Sequence, residues 1–327
     1  MVDLGYALSA EEHEPSELVR HAAAAERTGF SFALVSDHFH PWISRQGQSP
    51  FVWSVLGGIA SVTDRMRVGT GVTCPLIRMH PALVAQAAAT TAAMMPGRFF
   101  LGVGTGENLN EHVTGERWPS ASERLEMLEE AIDVIRQLWT GENVEHRGRH
   151  YRVIDARLYT LPLERPQLYV AAAGPQAAEL AGRLADGLIS TAPERELVSA
   201  FGGSGGAGRP RVGQVTVCWA PDEEDARRTA STLWPSGALG GNLNQELPTP
   251  EQFEAAVELV TEGDVADTVV CGPDPDRHLE AIRRFEAAGF DHVYVHQVGP
   301  DQDGFMRFYQ TEIIPQVTGG AAAATTQ

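Results

Sequence analysis

No lysine occurs anywhere in the 327 residues: all 25 basic side chains are arginine, the bias a GC-rich genome produces. No Schiff base can therefore form, and any phosphate must be held by arginine, hydroxyls or backbone amides. Basic clusters are missing as well, and the formal charge is −18. That balance excludes nucleic acid as a partner, since phosphate neutralisation needs concentrated positive charge. Cysteine is scarce. Cys74, Cys218 and Cys271 lie far apart in no metal-like spacing, so neither a disulfide framework nor a metal site is expected. No apolar run approaches the roughly 20 residues that a membrane span needs. The start, Met1-Val2-Asp3-Leu4-Gly5-Tyr6, lacks the basic and apolar segments of a secretion signal. The expectation is a cytoplasmic protein without membrane contact, a homodimer acting on a small molecule.

What is present is a hydrophobic content of 43% spread along the chain, enough to bury one large core. Strand-like apolar runs alternate with amphipathic helical ones, the pattern of a parallel α/β fold. Strands are expected at Leu4–Leu8, Phe32–Ser36, Arg67–Thr73, Phe99–Val103, from Leu168, at Leu188–Thr191, Gly213–Trp219 and His292–Val298. Helices are expected at Pro15–Thr28, Phe51–Val62, Ala82–Met95, Ser122–Trp139, Pro175–Ala185, Asp276–Ala288 and Phe305–Gln316. The sum is a single (β/α)8 TIM barrel over residues 1–318, with a hairpin-like insertion at Val144–Val153 and an irregular one at Ser236–Pro250. Gly202–Gly208 has the composition of a flexible loop, and 319–327 that of a disordered tail.

Three strand ends carry the chemistry. Leu34-Val35 runs into Ser36-Asp37-His38-Phe39-His40-Pro41-Trp42, so an apolar strand ends in an acid, two imidazoles and an indole. Phe99–Val103 runs into Gly104-Thr105-Gly106-Glu107, with Asn110 just beyond, and Leu168-Tyr169-Val170 runs into Ala171-Ala172-Ala173-Gly174-Pro175. Parallel strands deliver their C-terminal ends to one face, where a barrel assembles its site. His296, near the end of the last strand, is positioned to reach the same pocket. His40 reads as a loop hydrogen-bonding residue and Trp53 as core.

This ordered set resembles the luciferase-like flavin and deazaflavin superfamily, and within it the coenzyme F420-dependent glucose-6-phosphate dehydrogenases, from Leu4 to about Pro315. The resemblance implies coenzyme F420 as cofactor. It implies that His38 is the catalytic base, that Trp42 walls the pocket, and that Glu107 is a carboxylate beside the deazaflavin and a proton donor to it. Glu11 matches another pocket carboxylate and Asp37 a residue contacting the deazaflavin. Gly71-Val72 falls where the family has a bulge with a non-prolyl cis peptide. Cys74, Thr105, Gly106, Asn110, Ala172, Ala173 and Gly174 fall at cofactor-lining positions. The chemistry is consistent with these roles, since removing hydride from a carbinol carbon calls for a base of near-neutral pKa to take the hydroxyl proton.

The likeness breaks where the relatives hold a sugar phosphate with lysines and an arginine. Glu194 stands in place of a phosphate-binding lysine, and the region around Val265-Ala266-Asp267 has no basic residue. An anion in place of a cation turns attraction of phosphate into repulsion. The expected substrate is therefore a non-phosphorylated polyol or alcohol, with an amino sugar favoured because Glu11, Glu194 and Asp267 would meet ammonium groups. Dehydrogenation and redox-neutral epimerisation both fit. The alternatives are a sugar-phosphate dehydrogenase, an FMN-dependent luciferase-like monooxygenase, and an inactive cofactor-binding member.

Overall fold

A computed structural model describes residues 1–317, so the tail expected at 319–327 lies outside the described residues. Eight parallel strands close into a barrel: β1 (Asp3–Leu8), β2 (Phe32–Val35), β3 (Arg67–Thr70), β4 (Phe99–Val103), β5 (Gln167–Ala171), β6 (Gly187–Ser190), β7 (Arg211–Cys218) and β8 (His292–Gln297). They pair in chain order, and β8 closes on β1 with Asp3 opposite His292. A short strand, Val270–Cys271, adds to β7 outside the barrel.

Both faces of each strand are buried, as in parallel sheets generally. Leu4, Tyr6 and Leu8 of β1, with Ala33 and Val35 of β2, face the surrounding helices and belong to the main core. The alternate residues Phe32, Leu34, Phe100, Tyr169, Ile189, Val212 and Tyr294 fill the barrel as a separate cluster. Rings of this size fit because glycines face them. A Cβ on Gly5 would lie 2.4 Å from the Phe32 ring, and one on Gly69 would lie 2.3 Å from Phe100.

Local chemistry sets the helix ends where it is strong. Pro15–Thr28 begins with Pro15 in the first turn, a reciprocal Glu14/Glu17 capping box, and ends at Gly29 with φ 108°. Two regions differ from the sequence expectation. Gly202–Gly206 continues the helix Arg195–Phe201 as a wide π-type turn, with Gly206 buried. The run is ordered because it docks on Pro175–Leu184, where a Cβ on Gly182 would meet the Phe201 carbonyl oxygen at 2.3 Å. Between β7 and β8 the segment Ser236–Pro250 is irregular as expected, with only the short turns Pro235–Ala238 and Leu243–Glu246, but it is flanked by helices that were not expected, Glu223–Leu233, Pro250–Val257 and Glu262–Thr268.

Candidate active site

The C-terminal ends of β1, β2 and β4 bring three titratable side chains together. His38 leaves the loop after β2, Glu11 the turn after β1, and Glu107 the turn after β4. His38 Nε2 lies 3.2 Å from Glu11 Oε1 and 3.5 Å from Glu107 Oε2. On the other side of the ring, Nδ1 is 3.2 Å from the His40 carbonyl oxygen. A carbonyl only accepts, so Nδ1 carries the hydrogen and Nε2 is the basic nitrogen of the neutral ring. The Trp42 indole packs against this imidazole with ring centres 5.0 Å apart.

The two carboxylates are in different electrostatic states. Burial acts to raise the Glu11 pKa, but His38 and the Ser36 hydroxyl outweigh it, and the net shift is downward. Ser36 donates to Glu11 Oε2 at 2.7 Å and Ser9 at 3.0 Å. Glu107 goes the other way: burial raises its pKa, and His38 and the Asn110 amide offset that only in part. For His38, burial acts to lower the pKa, yet the Glu11 and Glu107 charges reverse it and the net shift is upward. One imidazole thus stands between a carboxylate held ionised and one inclined to protonate, a pairing that separates acid and base roles.

Asp37 is buried rather than open to the mouth. Thr73 donates to its Oδ2 at 2.7 Å, and Arg78 Nη2 donates to its Oδ1 at 2.8 Å. Arg78 also pairs with the buried Glu111, 3.5 Å away. Arg78 and Glu111 were not singled out in the sequence; an arginine within the run Pro75-Leu76-Ile77-Arg78 was the available signal. Asn110 is likewise buried, its Oδ1 accepting from the Phe39 and His40 backbone N–H groups while its Nδ2 donates to Glu107 at 2.9 Å. It ties the His38 loop to Glu107. His40 reaches the Leu109 carbonyl, and Trp53 packs against the core.

The Gly71-Val72 peptide is cis, and Val72 packs at the upper end of the barrel filling. Cys74 is buried beside Gly106, where a Cβ would sit 2.5 Å from its sulfur. Thr105 and Gly106 are half-buried in the same turn, Ala172 is buried, and Ala173 is exposed. Gly174 caps Pro175–Leu184 with open space where a side chain would be. His296 is buried with its Nε2 on Glu12 at 2.9 Å and its ring against Trp234. Glu194 is exposed at the start of the helix after β6, and Asp267 is exposed on Glu262–Thr268; neither joins the buried cluster.

The insertion between β7 and β8 reaches the same end of the barrel. Phe253 packs edge-on to Trp42, Glu254 accepts from the Ser44 N–H, and the Glu246 carbonyl accepts from the Asn108 amide.

The luciferase-like monooxygenase family matches residues 2–292. The F420-dependent glucose-6-phosphate dehydrogenase of Microbacterium testaceum is 37% identical over 325 residues, covering 96% of each chain. That of Mycobacterium tuberculosis H37Rv is 35% identical, covering 96% of this chain and 97% of the relative. Among solved structures, an F420-dependent secondary alcohol dehydrogenase in complex with an F420-acetone adduct superposes with a TM-score of 0.89 at 31% identity, over 95% of this chain and 98% of that one. Tetrahydromethanopterin reductase from Methanopyrus kandleri shares the fold, with a TM-score of 0.79 at 22% identity over 96% of this chain and 99% of that one. The chain belongs to the luciferase-like family.

Proposed function

We propose that this member of the luciferase-like family is a coenzyme F420-dependent oxidoreductase acting on a hydroxyl-bearing carbon, with His38 as the base. The observation that carries the reading is the basic Nε2 of His38 held between Glu11 and Glu107, whose pKa values are pushed in opposite directions. The names of the relatives support F420 as the cofactor. The residues present also fit a deazaflavin: the helix N-terminus at Gly174 opens onto free space, where its backbone amides would meet the cofactor phosphate. Bound coenzyme F420 supplies a ring that accepts hydride.

The chain's own residues handle the proton. His38 Nε2 takes the substrate hydroxyl proton, Glu11 stabilises the imidazolium that results, and Trp42 fixes the ring plane. Glu107, whose pKa is pushed up by its partial burial, faces the same nitrogen and is the carboxyl better suited to pass on a proton.

The substrate we infer is non-phosphorylated, and an amino sugar fits best. Glu11, Glu12 and Glu107 surround His38 and His296, and among the described residues no arginine contacts these three carboxylates directly. Glu194 adds negative charge on the same end of the barrel. The second reading, a sugar-phosphate dehydrogenase, is favoured by the names of the relatives alone. Both are tested by thermal shift with F420 and FMN, followed by F420 bleaching with glucosamine and with glucose 6-phosphate. Stronger stabilisation by F420 and faster bleaching by glucosamine are expected. Preference for FMN would overturn the cofactor, and efficient oxidation of glucose 6-phosphate would overturn the substrate class. The further proposal of a homodimer is checked by sedimentation.

A further inference from the structure

The turn after β1 carries two adjacent carboxylates, and each meets a different histidine. Glu11 faces His38; Glu12 is held at both oxygens, by His296 Nε2 at 2.9 Å on Oε2 and by the Gly299 N–H at 3.2 Å on Oε1. The side chains of Glu12 and His296 are 4% and 3% exposed. Among the described residues the bond to Glu12 is the one hydrogen bond of the His296 ring, because Nδ1 is buried without a partner and the Trp234 ring closes over it at 4.4 Å. A bare Nδ1 leaves the hydrogen of the neutral ring on Nε2, pointed at Glu12. The turn is tied to the loop after β2 by the Ala10 N–H on the Ser36 hydroxyl at 2.8 Å and the Gln48 N–H on the Glu11 carbonyl at 3.1 Å; Glu12 supplies its tie to the end of β8.

We propose that Glu12 and His296 are positioning residues: their pair, with Gly299, clamps the β1 turn to the end of β8 and so fixes Glu11 against His38. The proposal rests on His38 being the base. The groups that face His38 are Glu11 from the β1 turn, Glu107 from the β4 turn, and Asp37 and the His40 carbonyl from its own loop. Those that face Glu11 are Ser9, Ser36, His38 and, at longer range, His296. Glu12 is on neither side of the His38 contact, so it acts through the placement of its neighbour.

The test uses the full chain with 15N-labelled histidine and follows the His38 titration by NMR in wild type, His296→Gln and Glu12→Asp, with Glu11→Gln marking the full effect. Both clamp variants keep every carboxylate charge, and His296→Gln exchanges a neutral ring for a neutral amide. Electrostatics alone would therefore leave the His38 midpoint unchanged. The clamp predicts a fall of at least a third of that seen in Glu11→Gln. An unchanged or raised midpoint in a folded clamp variant overturns it. Wild type supplies a reading that needs no substitution: the His296 Nε2 proton must be protected from exchange, and a freely exchanging ring overturns the clamp. Activity is not read, so an active His38→Ala protein would sink the base assignment separately.

Discussion

Replacing Glu11 with glutamine removes one of the two carboxylates facing His38 Nε2 while preserving shape and the Ser9 and Ser36 contacts on the other oxygen. At the observed 3.2 Å, a unit charge pair in an effective dielectric of about 20 is worth roughly 5 kcal/mol. Only part of this appears as a shift, because Glu107 remains 3.5 Å away and the ring is partly rehydrated. An opposite charge at such range moves a pKa by about 1–3 units, so the His38 midpoint should fall by that amount, about 1.4–4 kcal/mol. The acid limb of kcat/KM follows the loss of the His38 proton and should move to lower pH by the same amount. The plateau should drop because the base is weaker. Stability changes in a defined window. The folded pKa of His38 is raised from 6.5, so its contribution is complete below the unfolded value and is lost as pH rises through the folded one. Glu11 is lowered from 4.5, so its contribution is present above the unfolded value and is lost as pH falls through the folded one. The variant should be most destabilised between those two limits and should approach wild type at alkaline pH. NMR titration of the imidazole, pH-rate profiles and urea melts at several pH values measure all three. An unmoved midpoint would refute the reasoning.

Arg78→Ala leaves Asp37 and Glu111 buried without their cation and should cost about 3–5 kcal/mol in urea unfolding; a near-native midpoint would show that the pair carries little. Asn110→Ala strips the Phe39 and His40 N–H groups and Glu107 of a shared partner, with an expected loss of about 1–3 kcal/mol by thermal or urea melting and lower turnover. In Gly102→Ala the new Cβ would sit 2.1 Å from the Thr70 carbonyl oxygen, a backbone clash that should lower the melting temperature by overpacking worth at least about 1–3 kcal/mol. A Gly102→Ala variant as stable as wild type would mean that β3 and β4 can separate freely.

Local signals made much of this molecule legible in advance. The helix Pro15–Thr28 was readable to its ends because a proline, a capping box and a glycine mark them, and β4 at Phe99–Val103 is an apolar run between charged or glycine-rich segments. The grouping of His38 and Glu107 could be anticipated because parallel strands share one C-terminal end, whereas Glu11 was reached only through the family resemblance. What escaped depends on distant partners. Arg78 serves Asp37 across 41 positions, and Glu12 looks like one more surface acid until His296, 284 residues away, covers it. The glycine run at 202–206 has no local reason to be ordered; its structure comes from docking on Gly182. The helices Pro250–Val257 and Glu262–Thr268 are short and each buries a single side chain, so the strand-helix rhythm gave no cue to them.

The measurement that bears most directly on the proposed reaction is anaerobic bleaching of F420 absorbance by glucosamine in wild type and in His38→Ala, with F420 affinity measured on both proteins. Wild type should bleach the cofactor. His38→Ala should bind F420 almost unchanged but turn over roughly 10²–10⁴-fold more slowly, the usual contribution of a general base. Bleaching at the wild-type rate in His38→Ala, or tight F420 binding with oxidation of glucose 6-phosphate in place of the amino sugar, would contradict it.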